Sequence, residues 1–358
     1  MKNRVAPSPV MTRRLVWLAV AALLVAGCLA PSHPAPAPKD TASPAPAPEF
    51  TSAQAPAFLK ALQTPVKPQG VRALADLEAF TTLAPRRYDG QFQHAAARDW
   101  LEQQFIAAGL QTTRFNFTGQ TQVPGVGSAE GQDILGVILG QPGHEHELIM
   151  FGGHYDSADT AYGAAYDDGS GTLLTLELAR ALAKYNWTHT IVFAEWDQEE
   201  AGLIGSAAYA NHLKESGDQV VLYVNFDMTG INWPAKFLGA VDEPLKADFG
   251  GPGDAEHASL WGAVTTFLGM PATASTVATG ATSGSSDHGS FLSADFPAAW
   301  MRGAVIGNYP LYHNADSVQT MITDVGGNRA DLEAGFQTAL DTSFYLAFLL
   351  DQAGVPSG

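Results

Sequence analysis

Cysteine is nearly absent from this chain: Cys28 is the only one in 358 residues, so neither an intramolecular disulfide framework nor a cysteine-rich zinc site can be built. Any metal must be held by His, Asp and Glu. Basic residues are also scarce, 19 Lys and Arg against 36 Asp and Glu, for a formal net charge of −17. This balance argues against nucleic acid as a partner, because a phosphate backbone calls for clustered Lys and Arg. Solubility accounts for it instead. No repeat with a period of ~20–50 residues is present. With 46% apolar and 15% charged residues the composition is that of an ordinary globular chain, long enough for one large α/β domain or two smaller ones.

The N-terminus reads as an address followed by an anchor. Arg13 and Arg14 precede an apolar run at 15–26, the order of a secretory signal, and Met11 as a start gives a more compact signal than Met1. The run falls short of the ~20 residues that a membrane helix needs, so export rather than spanning is expected. Val25-Ala26-Gly27-Cys28 closes the run and resembles the lipobox of bacterial lipoproteins, in which cleavage leaves the cysteine as an acylated new N-terminus. Cleavage nearby, for example after Ala30 with Cys28 incidental, is the alternative. Residues 31–56 are dominated by Pro, Ala and Ser, which favours an extended, unpacked tether. The expected organisation is a signal peptide at 1–27, a lipidated Cys28 and tether at 28–57, and a folded domain at 58–358. Such a protein is membrane-anchored and faces the periplasm or the cell exterior, or is secreted and soluble.

Within the folded part, residues 95–108 place Ala97, Leu101, Phe105 and Ala108 on one helical face, with Gly109 as the C-terminal cap. Short apolar runs at 133–139, 148–153, 190–196 and 220–226 are candidate buried strands. Helical patterns at 172–184, 201–214 and 331–350 alternate with them. The fold class expected is α/β, a three-layer sandwich with a mixed, largely parallel central sheet flanked by helices.

Three of the runs end in metal-type donors. The run at 148–153 leads into His154-Tyr155-Asp156, that at 190–196 into Glu199-Glu200, and that at 220–226 into Asp227. Open α/β sheets bind ligands at the carboxyl ends of their strands, so three independent strands deliver donors to one edge. A lone His or Asp after a strand is more often a turn residue or a helix cap; three together are not accounted for in that way.

The order His-x-Asp at 154–156, Tyr166-Asp167-Asp168-Gly169-Ser170-Gly171, Glu199-Glu200-Ala201-Gly202-Leu203-Ile204-Gly205-Ser206, Asn225-Phe226-Asp227-Met228 and Tyr312-His313-Asn314 resembles the M28 family of zinc aminopeptidases. The likeness runs from about Gly152 to Asp316, and the region before Gly131 adds little to it. The resemblance implies a zinc exopeptidase fold and two Zn²⁺ per chain, one held by His154 and Asp227 and the other by Glu200 and His313, with Asp167 bridging both. Three carboxylates against two Zn²⁺ leave one positive charge, which a bridging hydroxide neutralises. Asp168 competes for the bridging role, but Asp167 falls on the family's ligand position. By resemblance Glu199 is the general base that later protonates the leaving amine, and Tyr312 hydrogen-bonds the oxyanion, a packed core tyrosine being the other reading. Asp156 is suited to fix the tautomer of His154. Ser286-Asp287-His288 reads as structural, and Asp316 as a residue ordering the loop of His313.

The activity so implied is hydrolysis at the N-terminus of peptides, releasing single amino acids. A glutaminyl cyclase is the alternative from another reaction class. Dipeptidase or carboxypeptidase action on the same scaffold also remains open. A carboxypeptidase would want a basic clamp for the terminal carboxylate, and Arg302 is the only basic residue between Lys246 and Arg329.

Overall fold

The computed structural model of the chain describes residues 50–122, 127–231, 245–270, 275–303, 309–324 and 327–356. The signal-like segment, Cys28 and most of the tether lie outside them. Helices α1 (Ala55–Ala61), α2 (Gly70–Leu83) and α3 (Phe92–Ala108) come first, and Gly109 ends α3 at φ 92°, a conformation that glycine adopts without a Cβ penalty. Strands β1 (Gln111–Gln120), β2 (Ser128–Ile138) and β3 (Glu147–His154) follow, then helix α4 (Ser170–Leu182), strand β4 (Thr190–Trp196), helix α5 (Ile204–Ser216) and strand β5 (Gln219–Phe226). The remainder is β6 (Leu245–Gly250), α6 (Asp254–Phe267), β7 (Ser275–Ala281), α7 (His288–Ser293), β8 (Ala298–Arg302), α8 (Val318–Asp324) and α9 (Arg329–Ala353).

The eight strands form one sheet in the order β1-β2-β4-β3-β5-β8-β6-β7. The central pairs β4–β3, β3–β5 and β5–β8 are parallel, as is the edge pair β6–β7. The pairs β1–β2, β2–β4 and β8–β6 are antiparallel. The sheet is thus mixed and mostly parallel, as expected.

Alternation along the central strands builds two cores. Ile149 and Phe151 of β3, with Ile191 and Phe193 of β4, face one side and join residues of α2, α3, α4, α6 and α9. Leu148, Met150, Val192, Ala194 and Trp196 face the other and pack with Tyr209 and Leu213 of α5 and Phe291 of α7. Helix α4 is buried along nearly its whole length, which explains its leucines on every face.

The boundary expected at residue 58 lies too late. Helix α1 begins at Ala55, and Phe50 packs edge-on against Phe58 with centroids 5.7 Å apart. Pro56, which read as tether, sits in the first turn of α1, where the missing N–H costs nothing. The four outer strands β1, β6, β7 and β8 escaped the apolar-run criterion. In β1 every residue but Phe117 is exposed or half-buried, so it carries Gln, Thr, Arg and Asn, and β8 is five residues long.

Candidate metal centre

Helix α4, which follows β3, packs on one face of the sheet, and α5, which follows β4, packs on the other. Loops leaving adjacent parallel strands therefore diverge, which opens a crevice at their carboxyl ends. His154 is the last residue of β3, Glu199 and Glu200 follow β4, and Asp227 follows β5. Asp167 stands in an irregular turn, Ala165–Gly169, ahead of α4, and its peptide bond to Asp168 is cis. His313, at φ 54°, comes from the loop before α8. Asp167, Glu199, Glu200, Asp227, Tyr312 and His313 line one cleft of about 400 Å³, together with Trp300 and Ser285, and His154 lies buried beside it, 3.4 Å from Asp167 and 4.0 Å from Glu199.

Asp167 lies between the two histidines. Its Oδ1 is 3.4 Å from His154 Nε2 and its Oδ2 is 3.3 Å from His313 Nε2. His313 Nε2 is also 3.1 Å from Glu200 Oε2. The donor atoms fall into two groups, His154 with Asp168 and Asp227, and Asp167 with Glu200 and His313; within each group they lie no more than 4.8 Å apart. Asp168, however, is spent on the backbone. Its carboxylate accepts from the amides of His154 (3.2 Å), Gly171 (2.8 Å) and Met228 (3.3 Å), tying the ends of β3 and β5 to the start of α4. Its task is structural.

The cluster holds more negative charge than its own cations balance. Burial opposes ionisation of Asp167, yet the imidazoles of His154 and His313 outweigh it and hold the group down at about 2. The same contacts with Asp167 and Glu200 carry His313 up to about 10. Burial pushes Glu199 well above the usual carboxylate range, and burial followed by the charge of Asp167 lifts Asp227 to about 6. Nε2 of His154 and Oδ2 of Asp167 are buried without a hydrogen-bond partner. Such atoms want a cation. Two imidazoles and several carboxylates with no thiolate are a donor set that fits zinc in an open site.

Around these groups lies a set of supports. Asp156 Oδ1 is 3.3 Å from His154 Nδ1, and its two oxygens accept from the amides of Glu199 (3.1 Å) and Glu200 (3.2 Å). One carboxylate thus orients the imidazole and shapes the turn after β4. Asp316 accepts from the amides of Ala165 and Tyr166, joining the loop of His313 to the turn of Asp167. Tyr312 is stacked on the His313 ring at 3.8 Å and is 38% exposed, so it is not a packed core tyrosine. His288 is buried and stacks on Trp300 at 5.0 Å, and burial pulls it down to about 4; it steadies the cleft wall.

The region before residue 131 contributes more than its sequence suggested. Arg87 is fully buried and donates to the carbonyls of Tyr155, Gly163 and Ala164 at 2.7–2.8 Å, fixing the segments that carry His154 and Asp167. His94 Nε2 meets Asp197 Oδ1 at 2.7 Å, two residues before Glu199. Nothing in the local sequence marks them.

A crevice of this composition at the carboxyl edge of an α/β sheet belongs to the metal-dependent hydrolases. More specifically, the chain belongs to peptidase family M28, whose model matches residues 134–331, more than half of the sequence. Probable leucine aminopeptidase 1 of Trichophyton verrucosum is 29% identical over 280 residues, 74% of this chain and 72% of that protein. Leupeptin-inactivating enzyme 1 of Streptomyces exfoliatus is 29% identical over 246 residues, 67% of this chain and half of its own length. Leucine aminopeptidase 2 of Trichophyton rubrum is 39% identical over 103 residues, 28% of this chain and 21% of that protein. The fold is shared with a zinc aminopeptidase of Bacillus subtilis (TM-score 0.61, 16% identity, 82% of this chain and 97% of that one). It is shared equally with a glutaminyl cyclase of an Acidobacteriales bacterium (TM-score 0.61, 20% identity, 82% and 98%).

Proposed function

We propose that this peptidase removes single amino acids from the free N-termini of peptides, with two zinc ions in the cleft. In this reading His154 and Asp227 hold one ion, Glu200 and His313 the other, and Asp167 bridges them. The observation that carries it is the position of Asp167, with one carboxylate oxygen toward each histidine at 3.4 and 3.3 Å. Zinc in such a site supplies Lewis acidity toward the scissile carbonyl and makes water a stronger nucleophile. Glu199 takes a proton from the attacking water, and its burial raises its affinity for that proton. The water oxygen bonds to the carbonyl carbon, Glu199 returns the proton to the amine nitrogen, and the C–N bond breaks. Tyr312, beside His313, donates to the carbonyl oxygen as negative charge develops there.

The choice of peptide end follows from charge. Among the described residues, the side chains lining the cleft include Asp167, Glu199, Glu200 and Asp227 and no Lys or Arg, a charge that attracts an amino terminus and repels a carboxylate. Arg302, the sequence's one candidate for a carboxylate clamp, is already engaged. It pairs with Asp248 at 3.0 Å and lies over the Trp300 ring. We also propose that the protein is exported and lipid-anchored through Cys28. No helix among the described residues is long and apolar enough to cross a membrane.

Metal analysis and substrate assays test the proposal together. Peptides and amino-acid anilides with free N-termini should be hydrolysed, N-acetylated ones should resist, and the cleft should retain two zinc ions. Equal cleavage of acetylated and free peptides would refute exopeptidase action. Pyroglutamate and ammonia from N-terminal Gln peptides would transfer the assignment to a cyclase.

A further inference from the structure

At the opposite edge of the sheet, where β3 and β4 begin, a second group of donors converges. His144 and Glu147 stand three residues apart, in a turn closed by the Glu147 amide bonding to the His144 carbonyl at 3.2 Å. His144 Nδ1 is 2.6 Å from Glu147 Oε2, and His189 Nε2, from the residue just before β4, is 3.1 Å from the same oxygen. The three donor atoms lie within 4.8 Å of one another. His189 is buried, and its Nδ1 is 3.0 Å from Asp351 Oδ1 on α9. Asp351 is itself fixed by the amides of Thr188 and His189, each at 2.9 Å.

We propose that His144, Glu147 and His189 bind a divalent transition metal of the zinc class, an ion separate from those in the cleft. The argument starts from His189. Asp351 engages Nδ1, so the ring directs its Nε2 at the Glu147 carboxylate 3.1 Å away, and a cation between these atoms would be shared by both donors. Asp351, behind the ring, is the outer carboxylate that metal-bound histidines commonly use to fix tautomer and orientation. Two imidazole nitrogens and one carboxylate make a three-ligand set of the kind that zinc accepts, with bonds of about 2.0–2.2 Å. The His144 side chain is 44% exposed, which leaves the ion an entry path and a position for water. Neighbouring His146 takes no part, being paired with Asp218 at 2.6 Å. Because the donors come from the turn before β3 and the residue before β4, and the outer carboxylate from the last turns of α9, the ion acts as a clasp. It ties the C-terminal helix to the sheet, far from the reacting atoms.

Equilibrium dialysis of the full chain against zinc tests this, comparing wild type with His144→Ala and Glu147→Gln. Wild type is expected to hold one more zinc per chain than either variant, with kcat and KM unchanged among the three. Asp351→Asn should weaken that ion by about 10-fold to 100-fold. Zinc should also raise the Tm of wild type more than that of His144→Ala. Since no cleft residue is altered, the difference holds whatever number of ions the cleft takes. Equal zinc content and equal Tm response in wild type and both variants would overturn the proposal and leave the cluster as a set of imidazolium–carboxylate pairs.

Discussion

Glu199 and Glu200 are adjacent in the chain, and the structure sends their side chains to different neighbours. Glu200 reaches His313 at 3.1 Å, while the largely covered Glu199 stands 4.0 Å from His154. The amides of both are held by the one Asp156 carboxylate, so neither can rotate into the other's place. Glu199→Gln is therefore expected to keep its metal and its fold while kcat falls about 10²-fold to 10⁴-fold, the span for a lost general acid–base. Glu200→Gln should instead lower metal content. Zinc analysis and steady-state kinetics on the two variants decide it, and the reverse pattern would mean that the two roles are exchanged.

At the scale of elements, the turn before α4 is where chain geometry and site meet. A Cβ on Gly171 would collide with the Asp168 carboxylate and the Phe226 carbonyl, and Asp168 is what joins β3, β5 and α4. Gly171→Ala is expected to cost about 1–3 kcal/mol through overpacking and to lower activity, read by denaturant unfolding and kcat. Full activity at lowered stability would detach the Asp168 staple from the site. Helix α6 supplies a prediction in pH. His257 is buried, and burial, only partly offset by Glu256 and Asp254, pulls it from 6.5 to about 4. Between those values the unfolded chain takes up a proton that the folded chain refuses, so stability is intact above pH 6.5 and falls as pH drops toward 4. The loss is about 3 kcal/mol for this group. His257→Gln should flatten that part of the acid limb in urea titrations at pH 7 and pH 4.5; parallel losses in both proteins would assign the acid sensitivity elsewhere.

For the whole molecule, the open question of place rests on residues ahead of the folded unit, Pro48–Gly358. If acylation of Cys28 is the anchor, Cys28→Ser should move the protein from the membrane fraction to the soluble fraction, since an acyl chain is then the only stable attachment. Unchanged fractionation would remove lipidation from the account.

The sequence by itself determined the α/β class, the central strands and the donors at their ends. Buried parallel strands must be continuous apolar runs, and the residue after such a run stands at the edge where ligands bind. The motif order likewise sufficed for the family. The resemblance already put Asp167 ahead of Asp168, and the tertiary structure adds what separates them, since Asp167 lies between His154 and His313 while Asp168 accepts from backbone amides. Only the tertiary structure decided the part played by Arg87, which reaches carbonyls 68 to 77 residues away, and the edge strand β1, whose largely exposed or half-buried residues carry no apolar pattern. The cluster of His144, Glu147, His189 and Asp351 depends on it most of all. Its members span over two hundred residues and become neighbours only when β3, β4 and α9 are packed side by side, a proximity that no local pattern encodes.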